Sequence, residues 1–394
     1  MPWEETNIMD LRLKFVVRSF EPHINFTQLC KEFGITTKTG YKWKNRFLEG
    51  GAPALADQSK KPLSNSKIIP TDTVCKIIKI KELKKNWGPR KIHAVLKDRY
   101  PEMEIPSIST VERILKKSGL VQKKRKKNFP ATSRIKNRIK ATAPNQIWTV
   151  DFKGWWYTPA REKCEPLTIR DEFSKFIISI KALEKGNIAC VKAEFEKVFE
   201  KYGLPEIIRS DNGPPFASAQ SLFGLTKLAA WWLSLGIQLD RIDPGSPYQN
   251  GAHERMHLDM MRELEKKIDG DLKLHQSVFE IWKKEFNTER PHEALGMKTP
   301  SSVYVKSKRR YMEIEEIAYP SGFRSRNVND RGCITYRTKR IFISNAFAAF
   351  NVGLDVNAAD DVPVWFAKNL IGHINSETLI FTPADKIITV DKIK

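Results

Sequence analysis

Three short stretches each present one carboxylate in a setting suited to metal-assisted phosphate chemistry. Asp151 closes the run Trp148-Thr-Val-Asp151 and is followed by Phe-Lys-Gly154. Asp211 closes Ile207-Ile-Arg-Ser-Asp211 and is followed by the turn dipeptide Asn212-Gly213. Glu254 lies in Pro247-Tyr-Gln-Asn-Gly-Ala-His-Glu254-Arg-Met-His257, a polar segment with helical spacing. Three acids from two strand ends and one helix can converge on hard divalent cations, which prefer oxygen ligands. Two such ions about 3.5–4 Å apart clamp the attacking and leaving oxygens of a phosphodiester.

The elements that must position these acids follow from periodicity. Residues 147–152 read as a strand, 167–171 and 176–182 as a hairpin, and 206–210 and 238–242 as two further strands. Residues 188–202 form an amphipathic helix with Val191, Phe195, Val198 and Phe199 on one side, and 220–235 and 272–286 also read as helices. On its own helix Glu254 shares a face with Asn250 at i−4 and His257 at i+3, so these two are supporting candidates, as is Asn212 beside Asp211. Met256, Met260 and Leu264 form a separate stripe that reads as core. Asp171 also ends a strand, but Glu172 and Ser174 beside it indicate a turn role, and it is left outside the site.

A competing motif sits in the same helix. His253-Glu-Arg-Met-His257 is literally H-E-x-x-H, the zinc-protease pattern. It lies near a helix start and lacks a third histidine six residues after His257. A zinc peptidase also leaves Asp151, Asp211 and the charge distribution unexplained.

The three acid stretches resemble the Asp-Asp-Glu core of insertion-sequence transposases, which is similar to that of retroviral integrases. Ser210-Asp-Asn-Gly-Pro-Pro-Phe216, Pro244-Gly-Ser-Pro-Tyr-Gln-Asn-Gly251 and Asn287-Thr-Glu-Arg-Pro-His-Glu-Ala-Leu-Gly296 resemble family motifs in the family's order. The gap between Asp211 and Glu254 is longer than the family's shortest spacings, and the segment around Trp231-Trp232 is expected to fill it with extra helix. The resemblance implies a ribonuclease-H-like α/β core in which the strands carrying Asp151 and Asp211 are neighbours. It implies two Mg²⁺ ions, with Mn²⁺ able to substitute: Asp151 bridges them, and Asp211 and Glu254 complete one site each. The implied activity is a DNA transposase that binds element ends and catalyses metal-dependent 3′-end cleavage and strand transfer. The implied partners are double-stranded DNA, as element ends and as target, and further copies of the chain assembled on that DNA. The alternative is a DNA-binding regulator or assembly factor with an inactive integrase-like core.

Charge separates the gripping part from the chemical part. The net charge is +22, and residues 1–140 hold 32 Lys and Arg against 13 Asp and Glu. The remaining 254 residues are close to balanced. A basic half joined to a neutral half points to a polyanion-binding module attached to a catalytic one. Residues 8–19 and 26–33 read as helices; a turn at Gly34-Ile35 and an N-cap at Thr36 or Thr37 lead into a third helix over 37–48. That is a helix-turn-helix whose last helix offers Lys38, Lys42, Lys44 and Arg46 to a major groove. Trp43 and Phe47 read as core. A second such module spans 70–122, with a helix over 71–86, an anion-ready helix start at Pro89-Arg90-Lys91, and a capping box at Ser109-Thr-Val-Glu112. Lys116 and Lys117 close it, and the run Lys123, Lys124, Arg125, Lys126 and Lys127 opens a basic linker that tracks phosphates.

The whole reads as a multidomain chain: an α-helical helix-turn-helix domain (1–56), a basic linker (57–69), a second helix-turn-helix, plain or winged (70–122), a second basic linker (123–143), a catalytic core (144–306) and a small C-terminal β-barrel-like domain (307–394). Five cysteines at 30, 75, 164, 190 and 333 form no CxxC pair and read as reduced thiols. No apolar run is long enough for a signal or a membrane span, so the expectation is a cytoplasmic, nucleoid-associated protein with no membrane partner. If six to ten cations contact phosphates, affinity for duplex DNA should fall by roughly 10³–10⁵ between 50 and 200 mM salt. A salt titration on a random duplex checks this, and a flat response would remove the electrostatic argument.

Overall fold

The computed structural model describes residues 7–58, 69–121, 139–243, 251–264, 268–357 and 361–389. The chain divides into two compact units, Met1–Ile69 and Pro70–Lys394.

The first unit is three helices, α1 (Ile8–Arg18), α2 (Phe26–Glu32) and α3 (Thr37–Gly50). Each starts at a side-chain cap: Asn7 accepts from the Met9 amide, Asn25 from Gln28 and Thr36 from Thr39. Phe15, Val16, Leu29, Cys30, Trp43 and Leu55 make its core. Gly40 is needed where α2 meets α3, because a Cβ there would lie 2.7 Å from Cys30 Sγ and 2.9 Å from Phe15 Cζ.

The second unit begins with α4 (Thr71–Leu83), α5 (Pro89–Arg99) and α6 (Ile108–Lys117), packed around Ile77, Trp87, Ile92, Leu96, Val111 and Leu115. The expected capping box is displaced. The cap of α6 is Ser107, whose hydroxyl accepts from the Thr110 amide, so Ser109 is already inside the helix. The helix expected over 71–86 stops at Leu83, and Lys84 lies outside the helical region of φ/ψ space.

A mixed sheet follows: β1 (Ile147–Phe152), β2 (Trp156–Tyr157), β3 (Lys163–Asp171), β4 (Ile177–Leu183), β5 (Ile207–Ser210) and β6 (Gln238–Arg241). Its order is β2-β3-β1-β5-β6, with β4 on β3. The β1, β3 and β4 pairings are antiparallel, and β5 joins β1 and β6 in parallel. Helices α7 (Ile188–Tyr202) and α8 (Lys227–Ser234) make the crossovers. One sheet face packs Trp148, Val150, Leu167 and Ile169 against Phe195, Phe199 and Trp232. The other packs Ile177 and Ile180 against α9 (Gly251–Glu263) and α10 (Leu272–Thr288) through Met256, Met260, Phe279 and Trp282.

The helix expected over 220–235 is shorter than its apolar pattern. Residues Leu222–Gly224 form a 3-10 turn with Phe223 at φ 52°, and Thr226 caps the helix anew. Strand β2 escaped the sequence pattern because it is two residues long.

The C-terminal region is β-rich. Strands β7 (Phe323–Asn327), β10 (Asn351–Asp355), β11 (Asp361–Phe366), β12 (Asn369–Asn375) and β13 (Phe381–Thr389) form one sheet, and β8 (Cys333–Tyr336) with β9 (Lys339–Phe342) a hairpin. The sheet order runs from β13 to β7, with these two strands at its ends. Its core shares Ala229, Ala230 and Leu233 with α8. No helix among the described residues is long and apolar enough to cross a membrane.

Replacing Gly40 by Ala should destabilise the first unit by about 1–3 kcal/mol through overpacking. Faster amide exchange in α2 and α3, with exchange in the sheet unchanged, is the expected signature. Unchanged protection in α2 and α3 would show that the contact relaxes without cost.

Candidate active site

Strand alternation decides which side chains face α9. Along β1, Trp148 and Val150 enter the apolar core, so Thr149 and Asp151 point to the opposite face. Along β3, Leu167 and Ile169 enter that core, and Thr168 and Arg170 take the α9 side. The register sets Asp151 opposite Thr168 and Thr149 opposite Arg170. Four polar residues therefore lie beneath α9, which turns His253, Met256, His257 and Met260 inward.

Hydrogen bonds bind this layer together. The Thr168 hydroxyl donates to the Asp151 backbone carbonyl at 2.9 Å, and lies 2.6 Å from His253 Nε2 and 2.7 Å from His257 Nε2. A hydroxyl has one proton, so once it is given to Asp151 both histidines must donate to Thr168 from Nε2–H. His253 Nδ1 is then an acceptor, and the Thr149 hydroxyl sits 2.8 Å from it. Burial, then the neighbouring His257 and Arg170, holds His253 well below its ordinary pKa. Burial, then Lys153 and Arg170, pushes His257 down to about 3. Both rings are neutral. Arg170 is buried and donates to the Ala252 carbonyl in the first turn of α9 at 2.6 Å.

This corrects the expected grouping on α9. His257 was expected on the face of Glu254. Instead the two rings share the buried face with centroids 4.7 Å apart, while Glu254 is exposed. The sheet, rather than the helix alone, selects the face: Thr168 needs both imidazoles.

The acids occupy distinct surroundings. Asp151 is half-buried at the end of β1. β5 runs parallel to β1 with Ile147 level with Ile207 and Thr149 level with Arg209. Continuing that register sets Asp211 level with Asp151, just past the end of β5. The Asp211 carboxylate accepts from the Gly213 amide at 3.2 Å; burial raises its pKa and this bond opposes the rise. Asn212 donates from its side chain to the Ile242 carbonyl beyond β6, tying down the loop. Asn250 lies outside the described residues.

Among the described residues, one group of three ligand-type side chains has its donor atoms within 4.8 Å of one another: Asp151, His253 and His257. Asp211 and Glu254 are not in it. A zinc site on both histidines fits poorly, because both ring nitrogens of His253 are engaged by threonine hydroxyls. A hard cation fits the chemistry of the carboxylates better. Asp211 is a half-buried acid whose charge burial penalises, a condition that a nearby cation relieves.

Asp171 is fully buried and accepts from the Asn145 and Ser174 amides at 2.7 Å each, a turn-building role as expected. Arg290 is buried and bridges Asp259 and Glu263, holding α9 to the end of α10. Sequence reasoning missed Thr149, Thr168 and Arg170. Their signal was the pair of polar residues two apart in the otherwise apolar stretch Pro166-Leu-Thr-Ile-Arg170.

Of the expected DNA-contacting cations, Lys38 and Lys42 are exposed on α3. Lys44 instead donates to the Ser19 carbonyl at 3.0 Å, and Arg46 to Gln58 at 3.2 Å. Arg90 pairs with Glu293 at 3.5 Å, and Lys91 is held below its ordinary pKa by burial and by Arg290. Lys116 pairs with Glu112, and Lys117 is exposed. Lys123, Lys124, Arg125, Lys126 and Lys127 lie outside the described residues.

Thr168→Val keeps the shape of the side chain but strands two buried N–H groups, and should cost about 2–4 kcal/mol. Thr168→Ser should keep most of the stability. Urea denaturation of both variants is the check; equal stability would mean that the hydroxyl bracket holds nothing.

Comparison with known proteins gives the family context. Residues 141–247 and 235–300 match Integrase core domain families. Residues 11–62 match a Helix-turn-helix domain, and 39–115 a Homeodomain-like domain. An uncharacterized 31.7 kDa protein of insertion element IS407 from Burkholderia multivorans is 25% identical over 59% of this chain and 80% of its own length. The transposase for insertion sequence element IS904 from Lactococcus lactis is 27% identical over 42% of this chain and 64% of its own. The HTLV-2 integrase catalytic core domain, solved in complex with magnesium, aligns with 19% identity and a TM-score of 0.34 over 42% of this chain and all of that one. Integrase-type cores use divalent metals. The chain thus carries helix-turn-helix domains followed by an integrase core domain with a ribonuclease-H-like mixed sheet, and in sequence it is similar to insertion-sequence transposases.

Proposed function

We propose that this chain is a DNA transposase in which Asp151, Asp211 and Glu254 carry metal-dependent cleavage at element ends and transfer of the cut strand to target DNA. The observation that carries the reading is the parallel pairing of β1 with β5, whose register brings Asp211 level with Asp151 at neighbouring strand ends. In this reading residues 1–56 and 70–122 grip duplex DNA, with basic linkers at 57–69 and 123–143. Residues 144–306 do the chemistry, and 307–394 form a β domain, barrel-like in the reading, that supports it. The chain works on DNA in the cytoplasm, as several copies assembled on the element ends.

Asp151, Asp211 and Glu254 would hold two Mg²⁺ ions, or Mn²⁺ in their place, which when bound supply charge neutralisation at the phosphate and a more acidic water. The protein supplies positioning. Thr168 and the two neutral histidines fasten β1 to α9, and Arg170 anchors the first turn of α9 at Ala252. Glu254 is thereby held on the exposed side of a helix that cannot roll without breaking those bonds. Asn212 fixes the loop behind Asp211. In the first reaction water attacks the scissile phosphorus and the strand separates as a 3′-hydroxyl and a 5′-phosphate. In the second, that hydroxyl attacks a target phosphodiester, one P–O bond forming as another breaks. No residue becomes covalently attached to DNA.

Asp151→Asn, Asp211→Asn and Glu254→Gln should each lower Mg²⁺-dependent nicking by at least about a hundredfold, the scale of losing one preorganised electrostatic group. DNA affinity in EDTA should persist. Near-normal nicking by Asp211→Asn would overturn the assignment of that acid. Absence of nicking by the unaltered chain, with DNA binding intact, would favour a regulator with an inactive core.

A further inference from the structure

The hairpin that follows Asp151 is built to display two aromatic rings. Lys153 still pairs with β3, its amide donating to the Pro166 carbonyl at 3.0 Å. Gly154 then turns the chain at φ 94°, and β2 returns alongside the start of β3. Period-two alternation puts Trp156 on one face and Trp155 and Tyr157 on the other.

Trp156 is the anchor. It sits opposite buried Cys164, packs at 6.4 Å from Phe279, and its indole N–H reaches His275 Nε2 at 3.4 Å. The turn is fastened again where the Glu162 carboxylate accepts from the Leu272 amide at 2.7 Å. Both fastenings are to α10, so the hairpin is held on the core from its inner side.

The outer pair is left in solvent. Trp155 is 57% exposed and Tyr157 65% exposed, with ring centroids 5.5 Å apart. Lys163, cross-strand from Tyr157, brings its ammonium to 5.5 Å from the Trp155 ring. Lys153 and Arg161 flank the pair in sequence. The two rings meet edge to face, and Lys163 also pairs with Glu165 at 2.8 Å; exposed aromatic rings beside cations are complementary to a nucleic acid, which offers flat bases on an anionic backbone. Four residues of chain span at most about 14 Å, so Trp155 lies within that reach of Asp151.

We propose that Trp155 and Tyr157 form a stacking subsite for an unpaired nucleobase of the DNA strand processed beside Asp151. Inside a duplex both faces of a base are already stacked, so such a surface takes a base that is single-stranded or turned out of the helix. This rests on the transposase reading above for the identity of the polymer as DNA. The hairpin then selects frayed or tailed ends over continuous duplex, and holds the strand in register with the acids. Recognition by stacking is tolerant of sequence, so the subsite reads strandedness rather than base identity.

The test uses the full chain in EDTA, so that no strand is cut. Two probes of one random sequence are compared, a blunt duplex and the same duplex with a short 3′ single-stranded tail carrying 2-aminopurine. The unaltered chain should bind the tailed probe roughly five- to a hundredfold more tightly, as expected for one or two stacked bases, and quench the 2-aminopurine. Trp155→Ala should lose both the preference and the quench, Trp155→Phe should keep most of each, and an abasic tail should abolish the preference in the unaltered chain. Because Trp155 is exposed, thermal melts of both variants should match the unaltered chain. The proposal is overturned if the tail gives no advantage, if Trp155→Ala weakens both probes equally, or if its only effect is to dissociate a multimer seen by sedimentation. If the unaltered chain binds neither probe, the DNA reading falls and the subsite with it; tail-independent binding removes the subsite alone.

Discussion

The arrangement at the candidate site depends on one polar layer in an otherwise apolar fold. Thr149, Thr168 and Arg170 rise from the sheet, His253 and His257 descend from α9, and four bonds span the gap between them. A buried hydroxyl that donates to the Asp151 carbonyl can only accept from the two imidazoles, and burial keeps both rings neutral. An apolar interface would tolerate a helix that slides or rotates by a fraction of a turn. This one does not, because each displacement leaves a buried donor without an acceptor. The exposed position of Glu254 follows from what its neighbours must do on the other side of the helix.

The rest of unit two buttresses that layer. Arg290 is buried against Asp259 and Glu263, so the end of α10 holds the outer half of α9. Behind the sheet, α8 is buried from Leu228 to Ser234, its tryptophans against Phe195 and Phe199 of α7 and its alanines in the core of the C-terminal strands. A helix apolar all round has to be covered on both faces, and here the C-terminal β region supplies the second cover. Lys84, Arg90 and Arg99 face Glu285, Glu293 and Glu289, carboxylates four residues apart along and just beyond α10. The Arg90 and Arg99 pairs are exposed and contribute little stability each, the Lys84 pair is half-buried, and their common spacing orients the second helix-turn-helix on the core.

Net charge was informative about the partner and uninformative about which cations meet it. Lys44, Arg46, Arg90 and Lys91 all lie where a recognition surface was expected, and each is engaged within its own unit or partly buried. Long cationic side chains bend back onto carbonyls, rings and carboxylates when the fold provides them. Among the described residues Lys38, Lys42 and Lys117 are exposed, while Arg90 and Lys116 are exposed but paired with Glu293 and Glu112.

By itself the sequence determined the order and kind of most elements. β-branched runs ending in an acid marked β1 and β5, Thr36 marked a helix start, and the period of 188–202 marked α7 to the residue. Such signals are local: a cap or an alternation is complete within a few residues. The sequence also singled out the three candidate acids, because each ends or opens an element. Only the tertiary structure decided which faces meet. His253 and His257 are four apart in any helix, but their burial at Thr168 depends on a strand some ninety residues away. Trp155 and Trp156 are adjacent and identical in type, yet one anchors the hairpin and the other is exposed. Alternation guarantees that they differ, and only the position of α10 says which of them is buried.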